Sequence, residues 1–193
     1  MRTGILGGTF NPIHYGHLIN AQMIAEEFAL DRVLFVPSKA PVHKALEGNA
    51  TAQDRLRMVE RAIEGNDTFR ALDIELVRDA PSYTLFTVRE LVRLFPEDHF
   101  HLIIGLDSYR EIHTWYRFEE LLKSLPVIVM NRPDAGSDER DDIPPHKCHR
   151  AHNPYIQISS SLIRGRRRDG SSIRYLVPPT VDDYIQQRGL YTT

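Results

Sequence analysis

The chain has 193 residues, of which 41% are hydrophobic and 26% charged, and its formal net charge of −2 argues against a protein that coats nucleic acid. This length predicts one globular domain over residues 1–193. The sequence has a single cysteine, Cys148, no apolar run near the ~20 residues that span a membrane, and no signal-peptide pattern, so we expect a cytoplasmic protein without disulfides or membrane contact.

Short β-rich runs alternate with helical patterns along the chain. The apolar spacing predicts strands over residues 2–8, 33–37, 69–77, 99–105 and 126–133. It predicts helices over residues 16–30, 54–64, 82–95 and 118–124, and short C-terminal helices from Ile158 to Tyr191. Residues 134–153 carry many charges and no apolar period, which is typical of a loop.

This alternation implies right-handed crossovers, and therefore an α/β fold with a doubly wound, Rossmann-like parallel sheet. Ligands of such sheets bind at the carboxyl ends of the strands. The candidate site residues follow four predicted strand ends, at Gly7, Pro37, Gly105 and Ser159.

The first candidate site is the segment GGTFNPIHYGH, residues 7–17. Glycines after a strand let the backbone approach a phosphate, and the following helix start offers free N–H groups. His14 and His17 are three residues apart, so one helical turn places both rings on one face, where they can donate hydrogen bonds to developing charge. The alternative is a glycine turn with two exposed histidines. The segment matches neither GxxxxGK[ST] nor GxGxxG.

The second candidate site is ISSSLIRGR, which begins at Ile158. Hydroxyls at Ser159 and Ser161 can cap a helix at a strand-to-helix junction and bind phosphate oxygens. Arg164 lies one turn beyond Ser161 and can reach the same oxygens. The run of arginines at 166–168 is interpreted as a solvated helix end, although it can raise the local positive potential.

These two segments resemble the signatures of a known superfamily. GGTFNPIHYGH is similar to the (H/T)xGH motif of the nucleotidyltransferases, and ISSSLIRGR is similar to their ISxTxIR motif, with serine in place of threonine at 161. Phosphopantetheine adenylyltransferases of this superfamily carry threonine where this chain has His14. The resemblance implies catalytic roles for His14, His17 and Arg164, and an ATP site formed by Gly7, Gly8, Thr9, Phe10, His14, His17, Ser159, Ser161 and Arg164.

Four further stretches resemble one family, the bacterial nicotinate-nucleotide adenylyltransferases. They are PSKAPVHK (37–44), PSYTLFTVREL (81–91), GLDSYREIHTWYRFEELL (105–122) and YLVPPTVDDYIQQRGLY (175–191). Two positions depart from the family pattern, Leu106 and Phe86. The resemblance implies transfer of an adenylyl group from ATP, with its Mg²⁺, to nicotinate mononucleotide. Rival functions are adenylyl transfer to phosphopantetheine or nicotinamide mononucleotide, and a nucleotide-sensing module without chemistry.

The acceptor side of the site is expected around a tryptophan. The flat face of Trp115 can stack on a pyridine ring or pack in the core. Asp107 can accept hydrogen bonds from ribose hydroxyls, and Thr84 can bind the ring carboxylate or cap a helix. His43 and Lys44 can hold the acceptor's phosphate. The resemblance extends this acceptor site to Asn11, His43, Lys44, Thr84, Gly105, Asp107, Trp115 and Tyr116.

A cluster of possible metal ligands lies at His146, Cys148, His149 and His152. Its spacing matches no standard zinc pattern, so we predict no metal site in the protein. The expected partners are therefore ATP and nicotinate mononucleotide, with no nucleic acid and no membrane. The chain is expected to be a monomer or a homodimer.

Overall fold

A parallel β-sheet organises the chain in the computed structural model, which describes residues 1–39, 46–130 and 145–192. Its strands are β1 (Arg2–Gly8), β2 (Arg32–Pro37), β3 (Phe69–Ala71), β4 (His99–Gly105), β5 (Val127–Met130) and β6 (Cys148–Arg150). The six strands lie in the order β3-β2-β1-β4-β5-β6, and every neighbouring pair is parallel. The predicted doubly wound α/β sheet is therefore confirmed, with its topological switch point between β1 and β4.

Eight α-helices lie in the described ranges. They are α1 (Tyr15–Glu27), α2 (Ala52–Ile63), α3 (Ile74–Val77), α4 (Thr84–Leu94), α5 (Leu106–Arg110), α6 (Phe118–Ser124), α7 (Ser160–Arg168) and α8 (Pro179–Gln187). Short 3-10 helices occur at Ile112–Thr114 and Pro145–Lys147. These helices are all too short or too polar to cross a bilayer.

The strands divide their side chains between two apolar layers, because successive residues of a strand point to opposite faces. Ile5 belongs to the layer formed with α4, α5 and α6, whereas the adjacent Leu6 belongs to the layer formed with α1, α2, α7 and α8. The same alternation holds for Leu102 and Ile103 on β4. The sheet is thus covered on both faces, and ligands can approach only from its edges and ends.

Three sequence predictions were wrong in detail, for a shared reason. Residues 69–77 do not form one strand, because only Phe69–Ala71 pairs with β2 and Ile74–Val77 is helical. Cys148–Arg150 lies within the predicted loop but forms the edge strand β6 beside β5. Ser159 does not follow a strand directly, since irregular residues separate it from β6. An edge strand is short and half-solvated, so it has no distinctive apolar pattern.

A buried ion pair lies at the amino-terminal end of the sheet, where β1, β2 and β4 begin. The guanidinium of Arg32 and the hydroxyl of Thr3 both donate to the carboxylate of Asp98, and the Arg32 side chain lies over the Phe95 ring at 4.4 Å. The two charged side chains are only 9% and 7% exposed. Burial raises the pKa of Asp98, but the hydrogen bonds from Thr3 and Arg32 and the charge of Arg32 outweigh it, so the pKa lies below its ordinary value.

We expect Asp98→Asn to destabilise the protein by about 3 kcal/mol at neutral pH, because it leaves a buried guanidinium without its counter-charge. A folded-state pKa below the ordinary value stabilises the protein above that value, and the stabilisation is lost as pH falls through the folded pKa. The variant should therefore also lose part of the wild-type acid sensitivity. Urea unfolding at pH 7 and pH 3 measures both effects.

The control is Glu60→Gln, which removes one partner of the exposed Arg57–Glu60 pair. Its free energy of unfolding should change by less than about 1 kcal/mol. Equal effects of the two variants would contradict a structural role for the buried pair.

Candidate active site

Two adjoining cavities open at the carboxyl ends of β1 and β4. They share three wall residues, Leu6, Gly105 and Met130. The first, of about 360 Å³, lies towards β2 and α4, and we call it the aromatic cavity because Tyr83, Trp115 and Tyr116 line it. The second, of about 690 Å³, lies between the starts of α1 and α7, and we call it the histidine cavity.

Two stacked imidazoles form one wall of the histidine cavity. The rings of His14 and His17 lie 3.7 Å apart between centroids, with an interplanar angle of 27°. The backbone N–H of His14 donates to Nδ1 of His17 at 3.3 Å. Because Nδ1 accepts this bond, the neutral His17 ring carries its proton on Nε2, where it can be donated to a ligand.

The residues around the two histidines make room for this stacking and support it. A Cβ atom on Gly16 would lie 3.0 Å from Nδ1 of His14, so a larger residue between the histidines would displace the ring. Phe10 supports the pair from below, since its ring meets His17 edge-on at 5.2 Å and its side chain is only 2% exposed. Phe10 adopts a positive φ of 46°, which turns the chain beneath the histidines.

Burial keeps both rings neutral in the absence of ligand. Desolvation lowers the pKa of His14 from 6.5 to about 4. Desolvation and the neighbouring His14 lower the pKa of His17 well below its ordinary value. Nδ1 of His14 is buried and has no hydrogen-bond partner among the described residues. An anion entering this cavity would favour the protonated rings and supply the missing partner.

The start of α7 faces the histidine pair across the same cavity. Ser159 caps this helix, since its Oγ accepts a hydrogen bond from the backbone N–H of Leu162 at 3.1 Å, and its hydroxyl proton remains able to donate. Ser160 donates from Oγ to the carbonyl of Pro12 at 2.8 Å, which fixes α7 against the glycine-rich loop. Both serines line the cavity.

Arg164 and Ser161 lie beside this cavity in a smaller one of about 260 Å³, together with Arg168. The guanidinium of Arg164 donates to the carbonyl of Asn11 at 2.8 Å and to Oγ of Ser161 at 3.1 Å. It also forms an ion pair with Glu47. The structure thus brings His14, His17 and Ser159 into one cavity, whereas Arg164 lines a separate one and is paired with a carboxylate.

The family follows from comparison with known proteins. A family model described as cytidylyltransferase-like matches residues 5–166. A relative from Salinibacter ruber is 41% identical over 191 residues, which cover 99% of this chain and 98% of the relative, and it is named "Probable nicotinate-nucleotide adenylyltransferase". Relatives with the same name from a Synechococcus species and from Geobacillus kaustophilus are 42% and 40% identical, over 98% of this chain and 94% and 86% of their own lengths. The chain belongs to the nicotinate-nucleotide adenylyltransferase family.

The fold of the family also agrees with a solved structure. Nicotinic acid mononucleotide adenylyltransferase from Plasmodium falciparum, complexed with NaAD, superposes with a TM-score of 0.77 at 23% identity, covering 98% of this chain and 97% of that one. At this identity the likeness extends to the arrangement of the sheet and helices.

The predicted acceptor residues of this adenylyltransferase divide into three groups. The aromatic cavity is lined by Thr84, Gly105, Trp115 and Tyr116, together with Gly7, Gly8 and Thr9 of the predicted ATP loop. Asn11 and Asp107 line neither cavity. His43 and Lys44 lie outside the described residues.

Asn11 is buried below the glycine-rich loop. Its Oδ1 accepts a hydrogen bond from the Tyr191 hydroxyl at 2.8 Å, and its Nδ2 donates to the carbonyl of Glu47 at 2.8 Å. Asp107 is exposed on the first turn of α5. The side chain of Asn11 therefore holds the C-terminal segment against the loop.

Sequence reasoning missed several residues that the structure places at the site. Arg55 of α2 is fully buried and donates to the carbonyls of Thr9 and Lys39, at 2.7 and 3.0 Å. It thereby ties together the loops that follow β1 and β2. Glu75 and Glu111 line the aromatic cavity. A charged residue on an amphipathic helix has no local pattern that separates such a role from a solvated one, whereas the SSS run around Ser160 was a usable signal.

The possible metal ligands near Cys148 are dispersed by the edge strand. Cys148 packs against the layer of α4, α5 and α6, whereas the ring of His149 lies 6.1 Å from Phe28 of the opposite layer. His152 pairs with Glu27 at 2.6 Å. Within the described ranges, no three side chains of histidine, cysteine, aspartate or glutamate are grouped to hold a metal ion.

We expect His14→Asn to flatten the pH dependence of stability between pH 6.5 and pH 4. In this pH window His14 is protonated in the unfolded state but not in the folded state. The free energy of unfolding of the wild type therefore falls as the pH falls. The part due to His14 is on the order of 3 kcal/mol. Urea unfolding at several pH values measures the slope.

The matched control is Met23→Ala, which truncates an exposed side chain of α1 that does not titrate. It should leave the slope unchanged. A His14→Asn protein with the wild-type slope would show that this ring is protonated in the free protein.

Proposed function

We propose that this chain transfers the adenylyl group of ATP to the 5′-phosphate of nicotinate mononucleotide, forming deamido-NAD and releasing pyrophosphate. The observation that carries the proposal is the stacked His14–His17 pair, which lines a cavity that shares wall residues with the aromatic cavity. Relatives with about 40% identity over nearly the full chain carry the name of this activity. A single free cysteine also suits the reducing cytoplasm, where we place the reaction.

The chemistry requires one phosphorus–oxygen bond to form and one to break. An oxygen of the acceptor's 5′-phosphate attacks the α-phosphorus of ATP, and the bond from that phosphorus to the oxygen bridging to the β-phosphate breaks, so that pyrophosphate leaves. The attacking oxygen is already anionic, so no general base is required. The protein's task is to align the two phosphates and to offset the charge that builds up in the transition state.

The two histidines suit this task. Nε2 of His17 carries a proton that it can donate to an α-phosphoryl oxygen, and His14 stacks directly on that ring. Ser159 at the start of α7 can donate to the outer phosphates, and Arg164 can exchange its carboxylate partner Glu47 for them.

The ATP substrate binds as its Mg²⁺ complex in this proposal. Among the described residues, the wall of the histidine cavity contains no aspartate or glutamate. The metal's ligands would therefore come from the ATP phosphates and water, as is usual for Mg²⁺.

The test is a pyrophosphate-release assay with MgATP and four acceptors. These are nicotinate mononucleotide, nicotinamide mononucleotide, phosphopantetheine, and nicotinate riboside, which lacks the attacking phosphate. We expect turnover with nicotinate mononucleotide, much less with its amide, and none with the riboside. Equal efficiency with the amide, or turnover with phosphopantetheine instead, would refute the acceptor assignment.

The matched variant in this assay is His17→Ala. Loss of a donor aimed at the reacting phosphate should lower kcat by about 10²–10³ in a protein that still folds. His99→Ala, which removes an exposed histidine far from the cavities, should keep the wild-type kcat. Near-normal turnover of a folded His17→Ala protein would exclude the histidine pair from the chemistry.

We expect Arg164→Ala to raise the KM for MgATP more than the KM for the acceptor. A charge-assisted bond to phosphate contributes about 1.5–3 kcal/mol, which corresponds to an increase of about tenfold or more. Initial-rate kinetics with each substrate varied in turn measure both constants.

The control is Arg166→Ala on the same helix, because Arg166 donates to the carbonyl of Ser172 and does not line the cavity of Arg164. It should leave both constants unchanged. A change confined to the acceptor's KM would place Arg164 on the acceptor side of the site.

A further inference from the structure

We infer that Glu75 makes the aromatic cavity selective for a positively charged ring, and that it recognises the pyridinium charge of the acceptor. This inference rests on the proposed function. The described wall of the aromatic cavity contains two carboxylates, Glu75 and Glu111, and no lysine, arginine or histidine side chain. The expected acceptor carries a negatively charged phosphate and carboxylate, which negative side chains on the cavity wall would repel. The negative wall is therefore explained only if the acceptor also brings a positive charge into the cavity.

Glu75 is the better placed of the two carboxylates. It is only 6% exposed, whereas Glu111 lies at the exposed end of α5. Its Oε1 accepts a hydrogen bond from the Thr87 hydroxyl at 2.6 Å, which fixes the carboxylate between α3 and α4. Thr87 lies about one helical turn after Thr84 on α4, and both residues line the cavity. The carboxylate is therefore held on the wall where the ring is expected to bind.

The guanidinium of Arg78 reaches this carboxylate only through the Thr87 hydroxyl. Arg78 donates to Oγ1 of Thr87 at 3.2 Å and forms its ion pair with Glu90 at 3.4 Å. No described residue forms an ion pair with Glu75. A buried carboxylate without a counter-ion is costly, so a cation that enters the cavity stabilises it.

The acceptor brings such a cation. The ring nitrogen of nicotinate mononucleotide is bonded to ribose, so the ring carries a full positive charge. The faces of Trp115 and of the stacked Tyr83–Tyr116 pair, whose centroids lie 4.7 Å apart, add cation–π attraction for the same charge. A neutral aromatic ring has the same planar shape but gains neither interaction. Glu75 thus reads the charge of the ring, while its substituent is left to other groups.

The experiment compares nicotinate mononucleotide with a neutral isostere, 3-carboxyphenyl riboside 5′-phosphate. Both acceptors carry the same carboxylate and phosphate, so the ratio of their kcat/KM values isolates the ring charge. We expect wild type to prefer the pyridinium by at least about tenfold. Glu75→Gln keeps an oxygen that accepts from Thr87, and it should reduce this preference to a few-fold, through a higher KM for the pyridinium alone.

The control variant is Glu119→Gln, which removes an exposed carboxylate of α6 that does not line the cavity. It should keep the wild-type preference. Equal losses on both acceptors in Glu75→Gln would make Glu75 merely structural and overturn the inference. A higher kcat/KM for nicotinate mononucleotide in that variant would also overturn it, since Glu75 would then be repelling the ring's carboxylate.

A binding measurement on wild type covers the case of a variant that does not fold. N-methylnicotinate should bind at least about tenfold more tightly than benzoate, because the two differ mainly in ring charge. Equal affinities would overturn the inference. The two proposals fail separately: absence of pyrophosphate release with every acceptor refutes the proposed function, whereas absence of ring-charge selectivity in an active enzyme refutes only the role of Glu75.

Discussion

The parallel pairing of β1 with β2 on one side and β4 on the other is the constraint on which the site depends. Register brings Gly8 level with Pro37 and leaves Gly105 at the same edge, so the loops after all three strands meet there. Right-handed crossovers then place α1 and α4 on opposite faces of the sheet. Both cavities are consequences of this arrangement, since each lies between one of these helices and the shared wall at Gly105.

The C-terminal segment completes what the sheet begins. Ser160 bonds to the carbonyl of Pro12, Arg164 to that of Asn11, and the Tyr191 hydroxyl to the Asn11 side chain. These bonds join residues about 150 to 180 positions apart, and together with Arg55 they hold the glycine-rich loop in place. A loop that must approach phosphates closely has few side chains of its own, so its position is imposed by its surroundings.

The two cavities differ in the way they treat charge. The histidine cavity holds imidazoles whose pKa values are lowered by burial, and an anion bound beside them would raise those pKa values. The aromatic cavity carries carboxylates on its described wall. The proposed acceptor, with a phosphate at one end and a cationic ring at the other, matches this division of charge.

The sequence by itself determined the parallel α/β architecture and the histidine pair, because strand and helix periods and the spacing His14–Gly16–His17 are local properties of the chain. Only the tertiary structure decided the partners of buried polar groups. The pairing of Arg164 with Glu47, the place of Glu75 on a cavity wall and the edge strand β6 all depend on segments distant in sequence. Such choices follow from which polar groups are desolvated together, and no local period records them.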